Sequence, residues 1–165
     1  MIKKLFCRIT LFHLLLFPFV SMAEPFFTSI KQLNYGTILG RVGSCYLDPD
    51  TEILSLQSGS FCPSFMQKGT RAEHVIHADP NTIIRIRFKS INITEDGLIY
   101  TPDGIFVVSG SPNEPINANT YHDIDTGPSG TITMYVGGTL SSSINYPNSY
   151  IYSYDFVGGI EWNVQ

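Results

Sequence analysis

The stretch Thr82-Ile83-Ile84-Arg85-Ile86-Arg87-Phe88 decides the fold class because it alternates. Ile84, Ile86 and Phe88 fall on one side of an extended chain and Arg85 and Arg87 on the other, the period of two that marks a half-buried antiparallel strand. The arginine side is expected to be a solvated face. Thr131-Ile132-Thr133-Met134-Tyr135-Val136 repeats the design with Ile132, Met134 and Val136 inward. Ile160-Glu161-Trp162-Asn163-Val164 repeats it again, with Ile160, Trp162 and Val164 inward. No window of comparable length carries a helical stripe.

Turn chemistry fills the spaces between these runs. Asp96-Gly97 separates Ile91-Asn92-Ile93 from Leu98-Ile99-Tyr100, and Pro102-Asp103-Gly104 precedes Ile105-Phe106-Val107-Val108. Both read as turns, since Gly supplies a positive φ at low steric cost. Pro112 to Pro115, Asp125 to Gly130 and the polar stretch Leu140 to Tyr150 read as loops, rich in Pro, Gly, Ser, Asn or Asp. Short strands with regular punctuation and no helices predict an all-β antiparallel sandwich.

The ends define the domain. Lys3, Lys4 and Arg8 precede an apolar run from Ile9 to Val20, and Ser21-Met22-Ala23 offers small residues before a cut. That order is expected of a cleaved signal peptide over residues 1–23, leaving residues 24–165 as a single sandwich domain. No further segment reads as a membrane span. The 24–165 segment carries seven basic and fourteen acidic residues, a balance of −7, which argues against nucleic acid or an anionic lipid surface as partner. Cys7 lies in the signal, so Cys45 and Cys62 remain as a pair in an oxidising compartment, where they are expected to be bonded.

Four further stretches stand out in order along the chain: Leu33-Asn34-Tyr35-Gly36-Thr37-Ile38, the Asp79-Pro80-Asn81 turn feeding the strand to Phe88, Val136-Gly137-Gly138-Thr139-Leu140, and Tyr152-Ser153-Tyr154 followed by Ile160 to Val164. In these the chain resembles the DUF4402 family of secreted bacterial proteins. The resemblance implies an immunoglobulin-like β-sandwich. The arrangement is also similar to chaperone-usher pilus subunits and spore-coat-like fimbrial proteins, which implies assembly with a periplasmic chaperone and fibre or surface-protein neighbours through added strands. The chain departs from them at Glu24 to Gln32, where Phe26, Phe27 and Ile30 form no long alternating donor run.

Reactive constellations are sparse. His74 and His77 stand three apart, on opposite sides of a strand, and are expected to be surface histidines rather than metal ligands. Asp48-Pro49-Asp50-Thr51-Glu52 has oxygen donors but lacks a calcium-loop pattern, so it reads as a solvated acidic turn. No nucleophile elbow, zincin helix or phosphate-cradling loop occurs, so no catalytic residue, metal or cofactor is assigned. The densest recognition chemistry is Tyr146, Tyr150, Tyr152 and Tyr154, whose rings suit sugar or protein contact and equally suit a buried aromatic seam. The expectation is an exported, non-enzymatic surface or fimbrial-type subunit in the periplasm, at the cell surface or outside the cell. A freestanding module binding a glycan or another ligand is the alternative, with a secreted hydrolase behind it.

Overall fold

The computed structural model describes residues 24–62, 67–93, 97–147, 150–154 and 159–165, the side chains of residues 93 and 150–154 excepted. Among these residues the chain forms thirteen strands: β1 (Phe26–Lys31), β2 (Leu33–Ile38), β3 (Gly43–Leu47), β4 (Leu54–Gly59), β5 (Ala72–His77), β6 (Ile83–Phe88), β7 (Ile91–Ile93), β8 (Leu98–Val107), β9 (Glu114–Asn117), β10 (Tyr121–Asp125), β11 (Thr131–Ser142), β12 (Tyr150–Tyr154) and β13 (Ile160–Val164). Every paired strand is antiparallel.

The large sheet is built on β11. Along one edge β11 pairs β8 from Thr133 to Ser142. Along the other it pairs β5 from Thr131 to Val136 and then β3 from Gly138 to Ser142. Strand β1 lies beyond β5, β4 beyond β3, and β7 and β9 beyond β8. Two smaller sheets, β10-β6-β13 and β12-β2, complete the sandwich. The rings of Phe88 (β6) and Phe106 (β8) meet at 6.0 Å, and those of Tyr35 (β2) and Tyr100 (β8) meet edge-on at 6.4 Å. Each small sheet thus packs on the large one through an aromatic pair, the geometry that aromatic quadrupoles favour.

Alternation sets the core. Ile84, Ile86 and Phe88 are fully buried, as are Ile132, Met134, Val136 and Leu140 of β11. The C-terminal strand follows the pattern less far: Ile160 and Trp162 pack partly against the core, whereas Val164 is 45% exposed, since β13 runs out along the sheet edge. Three turn or loop readings also change. Pro102-Asp103-Gly104 lies inside β8. Strand interiors exclude proline because it cannot donate to a ladder, but Thr101 O and Asp103 N are the atoms facing β11, so the Pro102 nitrogen points to the opposite edge. There β7 has ended at Tyr100 and β9 begins at Asp103. Glu114 and Pro115 open β9, an edge strand, where proline is tolerated. Leu140 to Ser142 belong to β11, because both of its neighbours run on to Ser142.

Gly137 and Gly138 occupy the point where β11 exchanges β5 for β3. A Cβ on Gly137 would lie closer than 3.0 Å to the Leu47 carbonyl oxygen, and one on Gly138 (φ +125) closer than 3.0 Å to the Thr101 oxygen. The carbonyls of the two glycines themselves accept hydrogen bonds from buried phenols, Tyr35 Oη donating to Gly138 O at 2.7 Å and Tyr100 Oη to Gly137 O. The disulfide Cys45–Cys62 fastens β3 to the segment after β4, with Cα atoms 5.2 Å apart and both cysteines buried.

Candidate binding surface

The outer face of β10-β6-β13 carries the densest polar chemistry among the described residues. Cross-strand register aligns Tyr121, Arg87 and Glu161 in one row and Asp123, Arg85 and Asn163 in the next. Arg85 grips Asp123 as a fork, Nε and Nη2 each 2.7 Å from a carboxylate oxygen. Arg87 donates through Nε at 2.9 Å and Nη2 at 2.5 Å to Glu161 Oε2, while the Lys89 ammonium meets Oε1. The Tyr121 ring lies 4.5 Å from the Arg87 guanidinium and 5.9 Å from that of Arg85, within cation–π range. The alternation in β6 predicts a solvated arginine face; the pairing of β10 and β13 makes it a ladder of ion pairs.

These contacts set the carboxylates. The Arg85 fork holds Asp123 below its ordinary value of 3.8, and hydrogen bonds from Lys89 and then Arg87 hold Glu161 below 4.5. A carboxylate depressed in the folded state stabilises above its unfolded pKa and loses that contribution as pH falls through the folded one. Thermal stability is therefore expected to be flat above about pH 5 and to decline below about pH 4. In Asp123→Asn/Glu161→Gln the acid-side decline should shrink. About 0.5 M salt should shrink it as well, since exposed pairs are screened. Melting curves taken across pH 3–6 at two salt levels check both.

On the outer face of the large sheet, Tyr46 Oη donates to Asp103 Oδ2 at 2.7 Å. Burial, that hydrogen bond and the charges of Asp103, Asp48 and Asp50 all push the phenol's pKa up, so it remains a donor. Arg71 stacks 3.7 Å from the Tyr135 ring centre and donates to Pro49 O at 2.5 Å, tying the acidic turn to the sheet. Within that turn the Asp48 carboxylate accepts from the N–H groups of Asp50 and Thr51 at 2.8 and 3.0 Å. Burial raises the Asp48 pKa, but these bonds outweigh it and leave the group below its ordinary value. One oxygen of the turn, Asp48 Oδ1, is thus committed to its own backbone. Among the described residues no group of three or more His, Cys, Asp or Glu side chains is gathered for a metal.

Other expected residues lie as follows. Tyr146 packs partly against the core with its hydroxyl buried, so it presents little platform to a ligand. Tyr150, Tyr152 and Tyr154 form β12 along β2, their backbones registering with Ile38, Gly36 and Leu33, and their side chains lie outside the described residues. His74 is not at the surface: it points inward from β5, fully buried and 5.2 Å from the Phe27 ring, because His74 shares the face of Ala72 and Ile76. His77 points outward and stacks on Phe26 at 4.5 Å. A pocket of about 80 Å³ between Phe106, Val108, Pro112 and Ile124 is below the usual small-molecule range of about 300–1,000 Å³.

The edge strand β1 is the other notable surface. Among the described residues it pairs only β5, with a bulge between Ser29 and Lys31, and it carries Phe26 and Ile30 each 53% exposed. Among the described residues no helix is long and apolar enough to cross a membrane. No protein-family model matches the chain, and no curated protein or solved structure is significantly similar to it.

Proposed function

We propose that the chain is an exported, non-catalytic structural subunit of the bacterial surface, related to the DUF4402 and fimbrial proteins it resembles, and that it works by protein–protein association. The observation that carries this reading is β1. A Pro-free edge strand with two half-exposed apolar side chains is a template for strand addition, since among the described residues its outer N–H and C=O groups have no partner within the sheet. The position of Phe26 to Lys31 on its own β5 favours a role as acceptor of a partner strand over a role as donor. The bulge at Ile30 restricts that strand to a register that fits it.

The test is expression in a host that carries the neighbouring assembly genes, followed by recovery from sheared surface material and from periplasmic pull-downs. The wild-type protein is expected to co-purify with a chaperone or in surface fibres, and Phe26→Lys/Ile30→Lys should cut that recovery by about tenfold or more while leaving the fold intact. Release of the wild type as a free monomer, or equal recovery of the variant, would overturn the proposal.

A further inference from the structure

We propose that the Tyr121 face of β10-β6-β13 is a binding platform for a neutral glycan, independent of the association surface at β1. Tyr121 is 54% exposed, yet its ring is not loose: the Arg87 guanidinium sits 4.5 Å from its centre and covers one side. Arg87 is itself held by Glu161, and Glu161 by Lys89, so the ring rests on a braced support while more than half of the residue stays exposed. A flat, open aromatic face at fixed height above a sheet offers what the C–H side of a pyranose ring stacks on, with little ordering cost on binding.

The flanking groups complete the chemistry. In the row beside Tyr121, Asp123 accepts the Arg85 fork, and each carboxylate oxygen keeps further lone-pair sites directed away from that fork. The same guanidinium retains Nη1, which lies outside the fork. Asn163 continues that row with an amide that both donates and accepts. Paired donors and acceptors at short spacing suit hydroxyl groups, which both donate and accept.

Charge selects among hydroxylated ligands. The face carries Arg85, Arg87 and Lys89 against Asp123, Asp125 and Glu161, so three cations meet three carboxylates and the sum is zero. An anionic polysaccharide finds no uncompensated cation here. Apart from Tyr121 and Ile83, which lies opposite Asp125, this face is polar among the described residues, so the apolar core of a protein interface is not assembled on it.

The test uses the oxidised protein, ¹⁵N-labelled and titrated with cellohexaose, chitohexaose and mannohexaose, with a heparin hexasaccharide as the charged comparison. At least one neutral sugar is expected to move the amides of Arg85, Arg87, Tyr121 and Asp123 saturably, with an affinity unchanged within about twofold in roughly 0.5 M salt. Tyr121→Ala should weaken binding by about tenfold, and Tyr121→Phe, which keeps the ring, should stay within about threefold of wild type. The proposal is overturned if no neutral sugar shifts these amides, or if the shifts map elsewhere. It is also overturned if only heparin binds and salt abolishes it, if Tyr121→Ala binds like wild type, or if the face responds only to a protein partner.

Discussion

Gly138→Val is expected to prevent the protein from reaching its folded state. Gly138 has a φ of +125, a conformation a β-branched residue adopts only under strain, and its Cβ would collide with the Thr101 carbonyl of the neighbouring strand. Backbone strain of about 1–3 kcal/mol and overpacking of a similar amount add, because neither β8 nor β3 can withdraw without breaking its pairing with β11. The site also holds the Tyr35 hydrogen bond, which would be distorted with it. A loss of about 3–5 kcal/mol is a large part of the stability of an ordinary domain. Gly110→Ala is the control: Gly110 also has positive φ (+83), but nothing lies within 4 Å of its Cβ, so the cost should stay near 1 kcal/mol. Soluble yield and urea midpoints compare the two. A folded Gly138→Val protein with a midpoint near that of Gly110→Ala would refute the account of β11.

Removing the disulfide is the second large effect. Cys45 sits in the middle of β3, registered with Leu140 of β11 and Leu56 of β4, and Cys62 anchors the segment that follows β4. The two cysteines are 17 positions apart in the sequence. Closing a loop of that size stabilises by about 3 kcal/mol in the chain-entropy model. Cys45→Ala/Cys62→Ala should lower the urea midpoint accordingly, with little change in slope if the native contacts survive. Reduction of the wild type should give the same midpoint as the double variant before reductant and should leave the variant unmoved. Coincident midpoints for oxidised and reduced wild type would show that β3 and β4 hold without the bond.

The strands that alternate were legible in the sequence because one side of each is buried: Ile84, Ile86 and Phe88, and Ile132, Met134 and Val136, all point inward as their spacing requires. The cysteine pair was legible once Cys7 was set aside with the N-terminal segment, leaving two. The Pro102-Asp103-Gly104 reading failed because proline's missing N–H is harmless where an edge strand has ended, a fact about β7 and β9 rather than about local sequence. His74 was misplaced outward because only its alignment with Ala72 and Ile76 shows the inward side. The candidate site was the least legible part. Arg85 and Arg87 were visible, but their partners lie 38 and 74 residues away, and only strand register brings Asp123 and Glu161 beside them. The one hint was that Tyr121, Asp123 and Asp125 alternate with His122 and Ile124, opposite in sign to β6.

The exchange of partners along β11 governs when, as well as how, the chain folds. Leu140 of β11 meets Cys45 of β3, 95 residues earlier, and the first half of the same strand meets β5. Until residue 142 is available, the β3-β4 pair and the β1-β5 pair lack the strand they share and are linked by little more than the short bridges Ile53–Lys68 and Asn34–Thr70, and two-stranded pieces are marginal alone. Contacts this distant in sequence put folding in the slow range, milliseconds to seconds. On the export proposed above, a chain crossing a membrane with its N-terminus leading would therefore stay threadable until about its last fifth emerged. The keystone arrives late, and the oxidation of Cys45 and Cys62 can precede it.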